Sequence, residues 1–215
     1  MNGGSKVVPA ILAESIEELR GKLAIAVSFG APIQIDIMDG IFCNQKTVAL
    51  SEIESIPHTI TTEVQLMVDN AEKYIDDLVR LKCTRWAVHI ESHTHFSIVF
   101  TRAQEVGAEV YIALSPETPI RAVEEYQDRI AGIMLMSVYP GSSGQTFLPQ
   151  SLMRARECKT LFPHLPLEMD GGINEANIAS VLAAGVDTVI VGSGIWGKPE
   201  PTIAFNHLVA ITKTH

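Results

Sequence analysis

Eight short apolar runs rich in Val and Ile recur along the chain, each followed by an amphipathic segment, and this repeat limits the folds open to it. The runs are Val7–Leu12, Ile33–Ile37, Thr61–Met67, Trp86–Ile90, Glu109–Leu114, Ile130–Met136, Leu167–Asp170 and Thr188–Val191. Most are near-continuous in hydrophobicity rather than alternating, as expected of strands buried on both faces of a parallel sheet. Helical segments fit between them. Ser15 is placed to cap one carrying Glu17 and Glu18 in its first turn and Leu19, Leu23 and Ala26 at helical spacing. Asn70 precedes a second with Tyr74, Leu78 and Leu81, and Asn174 is placed to cap a third with Ile178, Val181 and Leu182, which Gly185 ends.

Dividing 215 residues among eight units gives about 27 per βα unit, near the minimum for a parallel crossover. No linker or shift in charge divides the chain. Residues 1–215 are therefore expected to form a single (β/α)8 TIM-barrel domain, with a doubly wound open sheet as the alternative.

Composition narrows the function. Sixteen basic against 25 acidic residues leave a net charge of −9 with no run of one sign, so a nucleic-acid partner is not expected. A phosphorylated ligand would have to be held by backbone amides rather than by a basic field. Cys43, Cys83 and Cys158 are far apart and in no metal-ligand spacing, which fits free thiols in a reducing compartment. Met1 to Lys6 carries no signal-peptide pattern, and the charge-free stretch from Ile130 to Met153 is broken by Pro140, Gly141, Gly144 and Pro149. A cytoplasmic protein with no membrane partner is the expectation.

In a (β/α)8 barrel the active site lies at the C-terminal ends of the strands. Three Gly-rich turns stand there, at Gly141-Ser142-Ser143-Gly144, at Gly171-Gly172 and at Gly192-Ser193. Each follows a strand, so free N–H groups can converge on an anion, and barrels often place a phosphate after strands 7 and 8. Asp36 and Asp170 end strands 2 and 7. Facing across a ligand, two carboxylates can move a proton from one face of a carbon to the other; the other reading is that each caps a neighbouring turn. Met38, Met67 and Met136 at strand ends suit ordinary core filling.

In this order, Pro9-Ala10-Ile11-Leu12, Asp36-Ile37-Met38-Asp39-Gly40, Gln65-Leu66-Met67-Val68, His89-Ile90-Glu91, Met136-Ser137-Val138-Tyr139-Pro140-Gly141, Asp170-Gly171-Gly172 and Gly192-Ser193 resemble the motifs of the ribulose-phosphate 3-epimerase family over nearly the whole chain. The resemblance implies a barrel that binds a pentulose 5-phosphate and inverts C3 by 1,1-proton transfer. It makes Asp36 and Asp170 the acid/base pair. The glycine turns, with Ser142, Ser143 and Ser193, become substrate and phosphate contacts, and the three Met the floor of the pocket. It also implies self-association into a homo-oligomer.

The same comparison exposes departures. The family holds a divalent metal, commonly zinc or iron, through two His and the two Asp, and here the His positions are Gln34 and Gln65. A substrate-contacting Ser is replaced by Ala10, and the loop Ile41–Lys46 lacks the family's His and Pro. A Gln oxygen is a neutral, hard ligand, so no transition metal is expected. A hard divalent ion on Asp36 and Asp170 with the two amides is the remaining metal option. The amides of Gln34 and Gln65 are expected to donate directly to substrate oxygens in place of the cation. Three functions follow: an epimerase acting on a ketose phosphate without the usual metal, a related sugar-phosphate isomerase with another substrate, or a binding protein that has lost turnover. No Lys stands at the ends of strands 2 and 3, which argues against aldolase or decarboxylase chemistry, although Lys46 lies in the nearby loop.

Overall fold

A computed structural model describes residues 6–56 and 60–213, so the segment up to Ser5 read for a targeting signal lies outside the described residues. Eight parallel strands close into a barrel in sequence order, β1 pairing with both β2 and β8. They are β1 Val7–Ile11, β2 Ile33–Met38, β3 Thr62–Met67, β4 Arg85–His89, β5 Glu109–Leu114, β6 Gly132–Met136, β7 Leu167–Asp170 and β8 Thr188–Val191. Each apolar run is a strand, with ends that differ by a residue or two. The open-sheet alternative is excluded by closure.

The helices are α1 Ile16–Ala26, α2 Ile75–Arg80, α3 Phe96–Val106, α4 Ser151–Leu161, α5 Ile178–Ala183, α6 Ser193–Trp196 and α7 Pro201–Thr212. Ser15 caps α1, its Oγ accepting the Glu18 amide at 3.2 Å. Asn70 Oδ1 accepts the Glu72 amide, but the segment begins as a 3-10 turn over Ala71–Tyr74 before α2. Asn174 caps the turn ahead of α5 rather than α5 itself. Its Oδ1 accepts the Ala176 amide, and the helix begins only at Ile178. After β2 and β5 no α-helix forms among the described residues, and 3-10 turns over Leu50–Glu52 and Ile120–Tyr126 stand instead. Pro116 and Pro119 remove amide donors just before the second of these.

Burial separates into two shells. One large cluster lies between barrel and helices, and a smaller one fills the barrel interior with Val8, Ala10, Ala87, Tyr111, Ala113, Met134, Met136, Val138 and Ile190. The interior also takes Gln34, Asp36, Glu63, Gln65, His89, Glu168 and Asp170, all buried. On β2, β3 and β7 these polar side chains occupy every second position, the period of a strand. What reads as unbroken hydrophobicity is therefore an apolar outer face with polar inward residues. Among the described residues no helix is long and apolar enough to cross a membrane.

Candidate active site

Register brings the chemistry-bearing residues to one end of the barrel. Asp36 pairs with Gln65 and Met38 with Met67 across β2 and β3, and Met136 pairs with Asp170 across β6 and β7. The strands open into a cavity whose wall holds Asp36 and Asp170, the three methionines, and all three glycine turns with Ser142, Ser143 and Ser193. The structure thus gathers thirteen of the fifteen sequence candidates at one mouth, and the other two lie deeper. Gln34 and Gln65 are fully buried and do not reach the cavity wall.

Their amides are committed below it. Gln34 Nε2 lies 2.7 Å from Asp36 Oδ1, 3.2 Å from Asp170 Oδ2 and 2.8 Å from Gln65 Oε1. Turned the other way, the amide would aim its oxygen at two carboxylates, so the network itself sets Nε2 between them. Gln65 Nε2 in turn lies 3.0 Å from Met136 Sδ and 3.1 Å from His89 Nε2. His89 Nδ1 is 3.2 Å from Glu91 Oε2, which fits a ring accepting at Nε2 and donating from Nδ1. Direct donation to a ligand is not what this packing provides. Gln34 holds the two carboxylates, and Gln65 in turn holds Gln34.

The electrostatics follow from this burial. Desolvation pushes the Asp36 carboxyl up to about 6, against the lowering effect of the Gln34 hydrogen bond and of Lys22. Burial and the facing Asp36 charge push Asp170 well above the ordinary carboxylate range, again against Gln34. Both shifts favour the protonated form, because burial and the facing like charge oppose ionising the two together. Glu91 behaves differently. Burial raises it, but His89, Thr118 and the Ser115 amide together bring it down to about 2.

The glycine turns are locked against each other by sterics. Gly171 and Gly172 have φ of +116° and +63°. A Cβ on Gly171 would lie 2.4 Å from Val138 Cγ2, and one on Gly172 would lie 2.6 Å from the Phe147 backbone N. The Ser137 amide donates to the Asp170 carbonyl at 2.7 Å, tying the end of β6 to that of β7. Gln145 Nε2 donates to the carbonyls of Tyr139 and Ser142, closing the β6 loop. Trp196 Nε1 donates to the Ala10 carbonyl at 2.7 Å and anchors α6 to β1.

Sequence reading missed Glu18 and Lys22, which line the cavity from α1. Their i,i+4 spacing matches an ordinary solvated helix pair and gives no sign of a site. It also missed a charged cluster inside the other end of the barrel. Arg85 reaches Glu168 at 2.6 Å, Glu109 at 2.8 Å and Glu63 at 3.4 Å. Burial and the Glu168 charge hold the Glu63 carboxyl well above its ordinary range. Cys43 is half-buried against Gly141, and burial raises its thiol, as suits a spectator.

The metal expected of the resemblance can be tested on these donors. No group of three or more His, Cys, Asp or Glu that could hold an ion occurs among the described residues. An amide nitrogen, which has no lone pair to give, lies between the carboxylates. The donor set does not fit zinc or iron.

Comparison with known proteins agrees with the architecture. The model of the ribulose-phosphate 3 epimerase family matches residues 6–196. The ribulose-phosphate 3-epimerase of Aquifex aeolicus is 35% identical over 201 residues, covering 90% of each chain. That of Bacillus subtilis is 28% identical over 211 residues, covering 94% of this chain and 97% of the relative. Among solved structures, a 3-hexulose-6-phosphate synthase superposes with a TM-score of 0.71 at 19% identity, covering 95% of this chain and 98% of the other. KGPDC from Streptococcus mutans superposes with a TM-score of 0.72 at 12% identity and 98% coverage of both chains. At such identities these two attest the fold alone.

Proposed function

The chain belongs to the ribulose-phosphate 3-epimerase family, and from that premise we propose that it epimerises C3 of a ketose phosphate, a pentulose 5-phosphate or a close analogue, through Asp36 and Asp170 without a transition metal. The observation that carries this reading is the pair of buried carboxylates bridged by the Gln34 amide at the floor of the cavity. A 1,1-proton transfer needs one carboxylate ready to accept and one carboxylic acid ready to donate, on opposite faces of the same carbon. Burial of two like charges supplies that mixed state, because both cannot ionise together at modest pH.

In the proposed cycle the ionised member, Asp36 in the resting pair, removes the C3 proton. The C–H electron pair moves into a C2–C3 double bond and the C2 carbonyl oxygen takes the negative charge. The acidic member, Asp170, delivers its proton to the opposite face of C3, and the oxygen charge returns to the carbonyl. The carboxylates have then exchanged roles, so the reverse epimer is processed by the same apparatus. Gln34 favours the ionised form of either carboxyl by its hydrogen bonds, and Met38, Met67 and Met136 exclude water around the reacting carbon. The phosphate is assigned to Gly141–Gly144, Gly171-Gly172 and Gly192-Ser193, where neutral amides can hold an anion despite the acidic chain.

The test is to follow the C3 epimers of ribulose 5-phosphate by NMR with Asp36→Asn and Asp170→Asn singly. Each substitution is expected to abolish interconversion. Activity within tenfold of the unsubstituted chain in either variant would refute the two-carboxylate assignment.

A further inference from the structure

Lys22 is the one Lys or Arg among the described residues that line the cavity, which also holds the carboxyls of Glu18, Asp36 and Asp170. Its place is fixed by two hydrogen bonds. Nζ donates to the Leu12 carbonyl at 2.7 Å and to Glu18 Oε1 at 2.6 Å. Glu18 is itself immobilised at the start of α1, its amide on Ser15 Oγ and its Oε2 accepting the Glu14 amide at 3.0 Å. The cap that starts the helix thus also holds the lysine.

The anchor decides which part of the cavity the ammonium serves. β1 and β2 run in register with Ala10 opposite Gln34 and Ile11 opposite Ile35, and the next residue, Leu12, lines the cavity together with Asp36. The Leu12 carbonyl therefore holds Lys22 at the carboxylate end. Consistent with this placement, Lys22 acts electrostatically on the Asp36 carboxyl. An ammonium has three N–H donors. Two are taken by Leu12 and Glu18, and among the described residues no acceptor takes the third.

We propose that Lys22 is a catalytic residue, its third N–H donating to the oxygen charge that forms at C2 of the ketose when the C3 proton leaves. The inference rests on the proposed epimerisation and adds the positive charge that it otherwise lacks. No covalent bond is made to Lys22. The C3–H bond breaks, the proton passes to Asp36, the electron pair delocalises onto the C2 oxygen, and the ammonium stabilises it by a charge-assisted hydrogen bond. Because the charge is largest in the transition state, the interaction accelerates turnover more than it tightens substrate binding.

Lys22→Met keeps the length and apolar character of the stem. It is expected to lower kcat for C3 proton exchange about 100-fold or more, as for loss of an oxyanion donor, with KM changed less than about threefold. Affinity for inorganic phosphate, read by calorimetry, is expected to stay within about twofold of the unsubstituted chain. Lys22→Cys treated with 2-bromoethylamine, which rebuilds an ammonium at nearly the same reach, is expected to recover most of the lost kcat. An unchanged kcat, whatever the melting temperature, would overturn the proposal; so would a loss confined to phosphate affinity. A phosphorylated hydroxamate that copies the planar enediolate distinguishes this failure from failure of the epimerase reading. Lys22-dependent affinity for it, about tenfold or more, in a chain that exchanges no proton would refute the turnover and leave the lysine contact standing. Equal hydroxamate affinity in both chains would refute the lysine contact even where the unsubstituted chain turns over.

Discussion

Replacing Gln34 by Leu removes the amide that bridges the two carboxylates while keeping a side chain of similar volume in the barrel. Nε2 donates to Asp36 Oδ1 at 2.7 Å and lies 3.2 Å from Asp170 Oδ2, and its hydrogen bond lowers both carboxyls against the burial that raises them. A hydrogen bond to a charged group contributes roughly 1.5–3 kcal/mol. At about 1.4 kcal/mol per pH unit, its loss should raise the first ionisation of the pair by about 1–2 units. The reaction needs one ionised carboxylate, so the acidic limb of the pH–rate profile should begin near the Asp36 value of about 6 and move alkaline by that amount in Gln34→Leu. The assay is kcat/KM for C3 proton exchange from pH 5 to 9, with thermal melts confirming a folded variant. An acidic limb that stays in place, or moves to lower pH, would refute the view that Gln34 acts through the carboxylates.

Other consequences are as specific. Asp36 and Asp170 have raised pKa values, so the folded chain binds their protons more tightly than the unfolded chain does. Their contribution to stability is full below about pH 4 and is lost as pH rises through about 6 and beyond. Asp170→Asn should therefore raise the melting temperature at pH 8 while abolishing turnover; a fall in melting temperature there would contradict the electrostatics. At the opposite end of the barrel, Arg85→Met should cost about 3–5 kcal/mol in urea unfolding because it strands Glu63 and Glu168 without their cation. Glu63→Gln should be neutral or stabilising at pH 8 by the same measurement, and a loss above about 2 kcal/mol would show the cluster to be a net stabiliser in its ionised form. Gly172→Ala should weaken inorganic phosphate binding in calorimetry, since its Cβ would meet the Phe147 backbone at 2.6 Å and force the β6 and β7 loops apart; affinity within twofold would contradict that packing.

The barrel and most of its mouth were legible in the sequence because strand runs, glycine turns and strand-end carboxylates are local signals. The depth of Gln34 and Gln65 was not legible. Both lie on the inward face of their strands like Asp36, and only the closed barrel shows that they stand beneath the cavity rather than in its wall. Lys22 was hidden for another reason. An i,i+4 Glu-Lys pair carries the same sequence signature on any exposed helix, and its role depends on α1 leaning over the Leu12 carbonyl. The Arg85 cluster could have been found. Glu63 and Gln65 alternate with apolar residues on β3, as Glu168 and Asp170 do on β7, and both pairs break the apolar pattern at the two-residue period of an inward face. The delayed start of α5 has a local cause, since Asn174 and Asn177 bond each other's backbone and side chain before the helix begins.

The central claim is that two buried carboxylates epimerise a ketose phosphate with no transition metal at the site. The most direct measurement is deuterium incorporation at C3 of ribulose 5-phosphate in D2O, followed by NMR after exhaustive treatment of the protein with chelator. The account predicts incorporation into both epimers at the same rate before and after chelation, and no gain on adding zinc or iron(II). Exchange that disappears with chelator and returns with either ion would contradict it.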